Sequence, residues 1–167
     1  MEFKIQNEEP TNIDQVRAIL QAAFPTDAES KLVDSLRTNG KAIISLVAIG
    51  EEEVLGHVLF SPITTSPQSP ARGIGLAPVA VRPDVQSQGV GSQLIREGLH
   101  LCQELGFDYC VVLGSPKYYR RFGFEKASGF GISNEYGVDE EFMLIKFSDC
   151  NVHGLVKYAP EFAALSV

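Results

Sequence analysis

Residues 74–95 read IGLAPVAVRPDVQSQGVGSQLI, and the rest of the chain is organised around them. Leu76, Val79, Ala80 and Val81 predict a largely buried strand, bounded by Gly75 and by Arg82-Pro83-Asp84. Pro78 cannot donate to a ladder, so the strand is expected to be interrupted near its middle, leaving backbone groups free. Beyond the turn, Leu94, Ile95, Leu99, Leu101, Cys102 and Leu105 recur at the spacing of one broad helix face. Gly89 and Gly91 therefore stand at a helix N-terminus. There the first amides lack intrahelical partners and the macrodipole adds partial positive charge, so backbone donors can hold an anion. Residues without a Cβ let a phosphate approach the main chain closely.

The plain alternative is that the two glycines only make a tight strand-to-helix turn. Two better-known phosphate loops fit poorly. The dinucleotide fingerprint wants a third glycine where Leu94 stands, and the acidic residue expected about 20 positions on is matched only loosely by Asp108. The P-loop fails because no Gly-Lys-Ser/Thr follows. What remains is Gln-x-x-Gly-x-Gly preceded by V-A-V-x-P.

Upstream, Phe3-Lys4-Ile5-Gln6 alternates like a first strand. Ile13, Val16, Ile19, Leu20 and Ala23 predict a helix capped by Thr11 or Asn12 and ended near Pro25. Leu32, Val33 and Leu36 predict a second helix, capped by Thr26 or Asp27 and ending at Asn39-Gly40. Residues 42–49 and 54–60 are β-rich runs around Gly50-Glu51-Glu52-Glu53, a hairpin with a charged tip. The Pro- and Ser-rich segment 61–73 reads as an intradomain loop. Downstream, residues 109–113 form an apolar strand, so strand, long helix and strand imply a parallel crossover pair. Pro116 then opens a short helix that Gly123 closes, and residues 142–147 and 154–158 supply two more strands.

At 167 residues with 44% hydrophobic content, a single domain spanning 1–167 is expected. The formal net charge of -7 argues against a general nucleic-acid surface; it suits a cationic or amine substrate, or serves solubility alone. Cys102, Cys110 and Cys150 lack metal or disulfide spacing and read as reduced thiols, two of them in apolar patterns. No export signal, membrane span or metal site is expected, and the location expected is cytoplasmic.

The 74–95 stretch resembles motif A of the GNAT acetyltransferase superfamily, and the V-A-V-R-P-D strand end makes the likeness specific. The resemblance runs from about residue 3 to residue 147, with 148–167 as a C-terminal extension. The Tyr-Tyr-x-Arg-Phe-Gly-Phe segment resembles that of a bacterial subgroup whose substrates are mostly unassigned. It implies an α/β fold: a mixed, mostly antiparallel sheet with a parallel central strand pair, flanked by helices. It also implies transfer of an acetyl group from acetyl-CoA to an amine of a small molecule or protein. Gln86, Gln88, Gly89, Val90, Gly91 and Ser92 would wrap the pyrophosphate, and the backbone of Val79 and Val81 would pair with the pantetheine arm. Homodimers are common among such proteins.

Attack of an amine on a thioester needs a positioned neutral amine, a donor for the oxyanion and an acid for the departing thiolate. The resemblance gives the acid role to Tyr119, four residues before Gly123, with Tyr118 as the backup about 100° around the helix. The alternative for Tyr119 is aromatic packing. A free amide near Val79, released by the Pro78 irregularity, suits the oxyanion. Glu29, His57, His100 and Glu125 are possible bases in type. Glu29 and His100 are expected on solvated helix faces, while His57 either is a satisfied core histidine or faces the acceptor cleft. The rival to an enzyme is a non-catalytic acyl-CoA-binding sensor of the same fold.

Overall fold

The computed structural model describes residues 1–165. The chain runs β1 (Lys4–Asn7), α1 (Ile13–Ala23), α2 (Ala28–Thr38), β2 (Ile44–Gly50), β3 (Glu53–Ser66), β4 (Gly73–Val81), α3 (Val90–Glu104), β5 (Tyr109–Leu113), α4 (Pro116–Tyr119), β6 (Glu125–Lys126), β7 (Ile132–Asn134), β8 (Phe142–Lys146) and β9 (Gly154–Tyr158). The expected order holds, with β6 and β7 as short additions between α4 and β8.

The main path is β1-β2-β3-β4-β5-β8-β6. Its neighbours are antiparallel except for β4 and β5, which gives the mixed sheet with a parallel central pair. That pair is short. Only Gly73, Ile74 and Gly75 face Tyr109, Cys110 and Val111, and beyond Gly75 the two strands part. Opposite β3 the register of β4 slips between Val58, which faces Val79, and Phe60, which faces Leu76. Ala77 and Pro78 have no cross-strand partner there, as the missing N–H of Pro78 suggested.

Residues 61–66 are not the expected loop but the second half of β3. Pro62 pairs with Ile74, and residues 63–66 run antiparallel to β9. β9 also pairs in parallel with β7. The β-branched Ile63, Thr64 and Thr65 thus find a partner some 90 positions away, which the local proline pattern conceals.

One core layer lies between the sheet and α3, the other under α1, α2 and the C-terminal segment. Glycines set the closeness of α3. A Cβ at Gly98 would stand 2.2 Å from the Phe60 ring, and one at Gly56 would stand 3.0 Å from Leu94 and Val90. Leu94, Ile95, Leu99 and Cys102 are buried as expected, whereas Leu105 lies just past the helix end and is exposed.

On the other layer, charge fastens the helices. Arg37 of α2 forks onto Glu8 (Nε to Oε1 2.8 Å, Nη2 to Oε2 2.6 Å) and reaches Asp34 at 2.8 Å. Arg17 of α1 forks onto the same Asp34, both contacts at 3.0 Å. His57 lies beneath, fully buried, its Nε2 2.8 Å from Ser45 Oγ and 3.6 Å from Glu8. Burial outweighs the Glu8 carboxylate and lowers its pKa to about 4, so His57 is neutral and Arg37 answers the Glu8 charge.

This buried imidazole makes stability pH-dependent. The unfolded chain takes up a proton near pH 6.5 that the folded chain resists down to about 4, so stability present at neutral pH is lost as pH falls through that window. Between pH 7 and 5 the loss expected from His57 is about 2 kcal/mol. Urea titrations across that range read it directly, and an unchanged midpoint would contradict a neutral His57.

Candidate functional site

Where β4 leaves β5, its backbone forms one wall of a cleft of about 690 Å³ lined by Val79, Ala80, Val81, Gln86, Ser87, Gly89, Val90, Gly91, Ser92, Tyr118 and Arg121, with Ala23 and Phe24 opposite. The direction of the β4 backbone follows from its pairing. Arg82 N–H bonds Leu55 O on the β3 side at 2.8 Å, so strand alternation turns the amides and carbonyls of Val81 and Val79 to the opposite edge. The Val81 carbonyl accepts the Gln86 side-chain amide at 3.2 Å, which leaves Gln86 as a brace between strand and loop.

The floor is the N-terminus of α3. Its first intrahelical bond runs from Gln93 N–H to Gly89 O, so the amides just before Gln93 have no partner within the helix. Ser87 (φ 65°) and Gly89 (φ 88°) are both left-handed. Backbone of alternating hand is the geometry in which successive N–H groups can converge on an anion. Space above these residues is open: a Cβ at Gly89 would meet nothing within 4 Å, and one at Gly91 would make ordinary contact with Val81 and the Tyr118 hydroxyl at 3.4 and 3.5 Å.

Two side chains absent from the sequence-derived cofactor set complete the rim. Tyr118 OH lies 3.4 Å from Ser92 Oγ, and Arg121 Nη2 lies 3.4 Å from the same oxygen. The Arg121 guanidinium stacks 5.1 Å over the Tyr118 ring and has no carboxylate partner among the described residues. It adds a cation to a seat otherwise built of amides. The three-residue spacing of Tyr118 and Arg121 on a short helix was the available signal.

Of the residues expected at the site, Val79, Val81, Gln86, Gly89, Val90, Gly91 and Ser92 meet in this cleft, while Gln88 is exposed and lies outside its lining. Tyr119 sits behind Tyr118. It is 7% exposed, and its ring is set edge-on to Tyr118 at 5.1 Å and Phe124 at 5.6 Å. Gly114, just past β5, makes room for it, since a Cβ there would stand 2.3 Å from the ring. Burial raises the Tyr119 pKa well above that of an ordinary phenol, so it is protonated at neutral pH.

The base candidates separate cleanly. His57 faces Ser45 and Glu8 rather than the cleft. His100 is exposed beside Glu104 at 2.7 Å, and Glu125 is exposed on β6. Glu29 departs from the solvated role expected of it: it is half-buried, and its Oε1 is enclosed without a hydrogen-bond partner among the described residues.

A strand edge parted from its neighbour and ending on helix amides without intrahelical partners suits an elongated ligand with a phosphate tail. The acetyltransferase (GNAT) family model matches residues 13–124. The chain belongs to that family. Within it, the chain is 36% identical over 163 residues to the uncharacterized N-acetyltransferase YhbS of Escherichia coli, covering 95% of this chain and 97% of that one. The crystal structure of Escherichia coli YhbS in complex with CoA superposes with a TM-score of 0.92 at 35% identity, covering 98% and 93% of the two chains. A Brucella melitensis GNAT acetyltransferase crystallised with acetyl-CoA gives 0.82 at 33% identity, covering 96% and 98%.

The left-handed Gly89 can be tested without any ligand. With no clash to relieve, Gly89→Ala is expected to cost about 1 kcal/mol through φ alone, and Gly89→Asn less, because Asn tolerates that region. Denaturant midpoints of the two variants measure this, and equal stability of Gly89→Ala and the parent would contradict it.

Proposed function

We propose that this protein is an acetyl-CoA-dependent N-acetyltransferase that acts by direct transfer to an amine of a small molecule or protein. The observation that carries the reading is the β4 edge without a strand partner, Val79 to Val81, leading onto the free amides of α3. The CoA and acetyl-CoA complexes of the two structural relatives support it.

Acetyl-CoA supplies a thioester: an amine nitrogen bonds to its acyl carbon as the carbon–sulfur bond breaks. The chain's own groups divide the remaining work. The Gly89 to Ser92 amides and Arg121 hold the phosphate end. The outward backbone of Val79 and Val81 aligns the arm as an added strand would. Val79 N–H, directed away from β3 beside the slip at Ala77 and Pro78, donates to the carbonyl oxygen as negative charge develops there. Tyr119 keeps its proton at neutral pH and delivers it to the departing sulfur; the proton shed by the amine passes to solvent, which restores the phenol. None of the four side chains considered as bases is assigned, so the amine is expected to arrive neutral. The acidic chain favours cationic amines as its source.

Calorimetric titration with acetyl-CoA, with NADH as control, should give saturable binding of acetyl-CoA alone. Gly89→Glu is expected to abolish it by placing bulk and negative charge on the anion seat; unchanged affinity would remove the seat from the reading. Tyr119→Phe should bind acetyl-CoA nearly as the parent does while slowing thiol release with amines by about 10²-fold or more. An undiminished rate would exclude Tyr119 as the acid.

A further inference from the structure

At the point where β4 and β5 part, a second phenol arrives from the opposite side of the sheet. Tyr158 ends β9, and Gly75, the last β4 residue paired with β5, lacks the Cβ that would otherwise stand 2.8 Å from its Cε1. Three restraints fix it. Its register on β3 pairs it with Ile63, its N–H donates to Glu135 Oε2 at 2.9 Å, and its ring stacks on Tyr136 at 6.3 Å and leans on Phe162 at 5.2 Å. Despite this, the Tyr158 hydroxyl is enclosed without a hydrogen-bond partner among the described residues.

A second unpartnered hydroxyl lies beside it in the sheet. Ser61 is the register partner of Gly75 on β3; it is fully buried, and its Oγ also lacks a hydrogen-bond partner among the described residues. Strand alternation puts Ser61 on the face of Leu59 and Ile63, which pack in the same layer as Tyr158. Leaving two buried hydroxyls unpaired is unfavourable in a well-packed interior, and such groups point to a polar visitor. Tyr119 belongs to the other layer, yet it and Cys110 are near enough to Tyr158 to add to the upward shift that burial imposes on its phenol. Tyr119 thus packs on Gly114 just past the end of β5 and Tyr158 on Gly75 where β4 leaves it, on opposite faces of the sheet.

We propose that the Tyr158 hydroxyl is a further catalytic residue, which accepts a hydrogen bond from the attacking amine nitrogen and holds it where β4 and β5 part, on the α1 and α2 side. The inference rests on the acetyl-transfer reading and adds the face from which the acceptor enters. A hydroxyl that stays neutral offers a lone pair to an N–H without the counter-charge that would retain an ammonium. It thus selects the nucleophilic form of the amine while Tyr119 serves the sulfur.

The test uses Tyr158→Phe, which keeps the ring and removes one oxygen. Since that oxygen has no partner, the melting temperature is expected to be unchanged or raised; a clear fall would mean that a structural partner exists and would overturn the proposal. CoA and a bisubstrate probe, CoA alkylated on sulfur with N-butyl bromoacetamide, are then titrated into both proteins by calorimetry. The probe carries an amide N–H beyond the acyl carbon, in place of the attacking amine. The variant is expected to bind CoA as the parent does and the probe about three- to tenfold more weakly, the range of one net hydrogen bond. Equal probe affinity, or an equal loss for CoA and probe, would reject Tyr158 as the amine's partner. If the parent itself fails to bind CoA, the transfer reading fails first and takes this inference with it.

Discussion

The structure depends on how briefly β4 and β5 stay together. Parallel strands in the middle of a sheet ordinarily satisfy each other's backbone along their length, but here the pairing covers three positions and stops at Gly75 and Val111. The rest of β4 is held from one side only, by β3, and even there the ladder slips around Ala77 and Pro78. An internal strand with a free edge is costly unless something else uses that edge. The cleft and the exposure of the outward groups of Val79 and Val81 both follow from this one parting.

The parting is kept open by packing on both faces. On one, α3 lies so close to the sheet that Gly98 and Gly56 must lack side chains, which brings the helix N-terminus level with the free edge of β4. On the other, the network of Arg17, Asp34, Arg37 and Glu8 fastens α1 and α2 over a neutral His57. The histidine that looks chemically most useful in the sequence is thereby committed to structure. Only the Arg37–Glu8 end of this network is buried, Arg17 and Asp34 each being more than a third exposed. Here the arrangement carries Ala23 and Phe24 to the far wall of the cleft.

Much of this was legible in the residues. The apolar periods of Ile13 to Ala23 and Leu94 to Cys102, the Gly50–Glu53 hairpin and the Pro116 and Gly123 helix boundaries all read locally and recur in the fold. The helix start at Gly89 and Gly91 was legible too, because glycines that follow a turn and precede an apolar period mark it locally. Less visible was the continuation of β3 through Pro62 to Ser66, whose partner β9 is remote in sequence. The same holds for Tyr158, whose position in the chain gives no hint of what it faces.

The sequence by itself determined most of the elements, their order and the glycine turn into α3, because helix and strand periods, caps and left-handed glycines act between near neighbours. Tertiary structure alone decided that β4 and β5 part after Gly75, that His57 is turned to Ser45 and Glu8, that Tyr118 and Arg121 rim the cleft with Tyr119 behind them, and that Tyr158 packs on Gly75 from the other face. Each of those facts depends on which surfaces are buried against one another, and burial is a property of distant segments brought together. No local pattern encodes it.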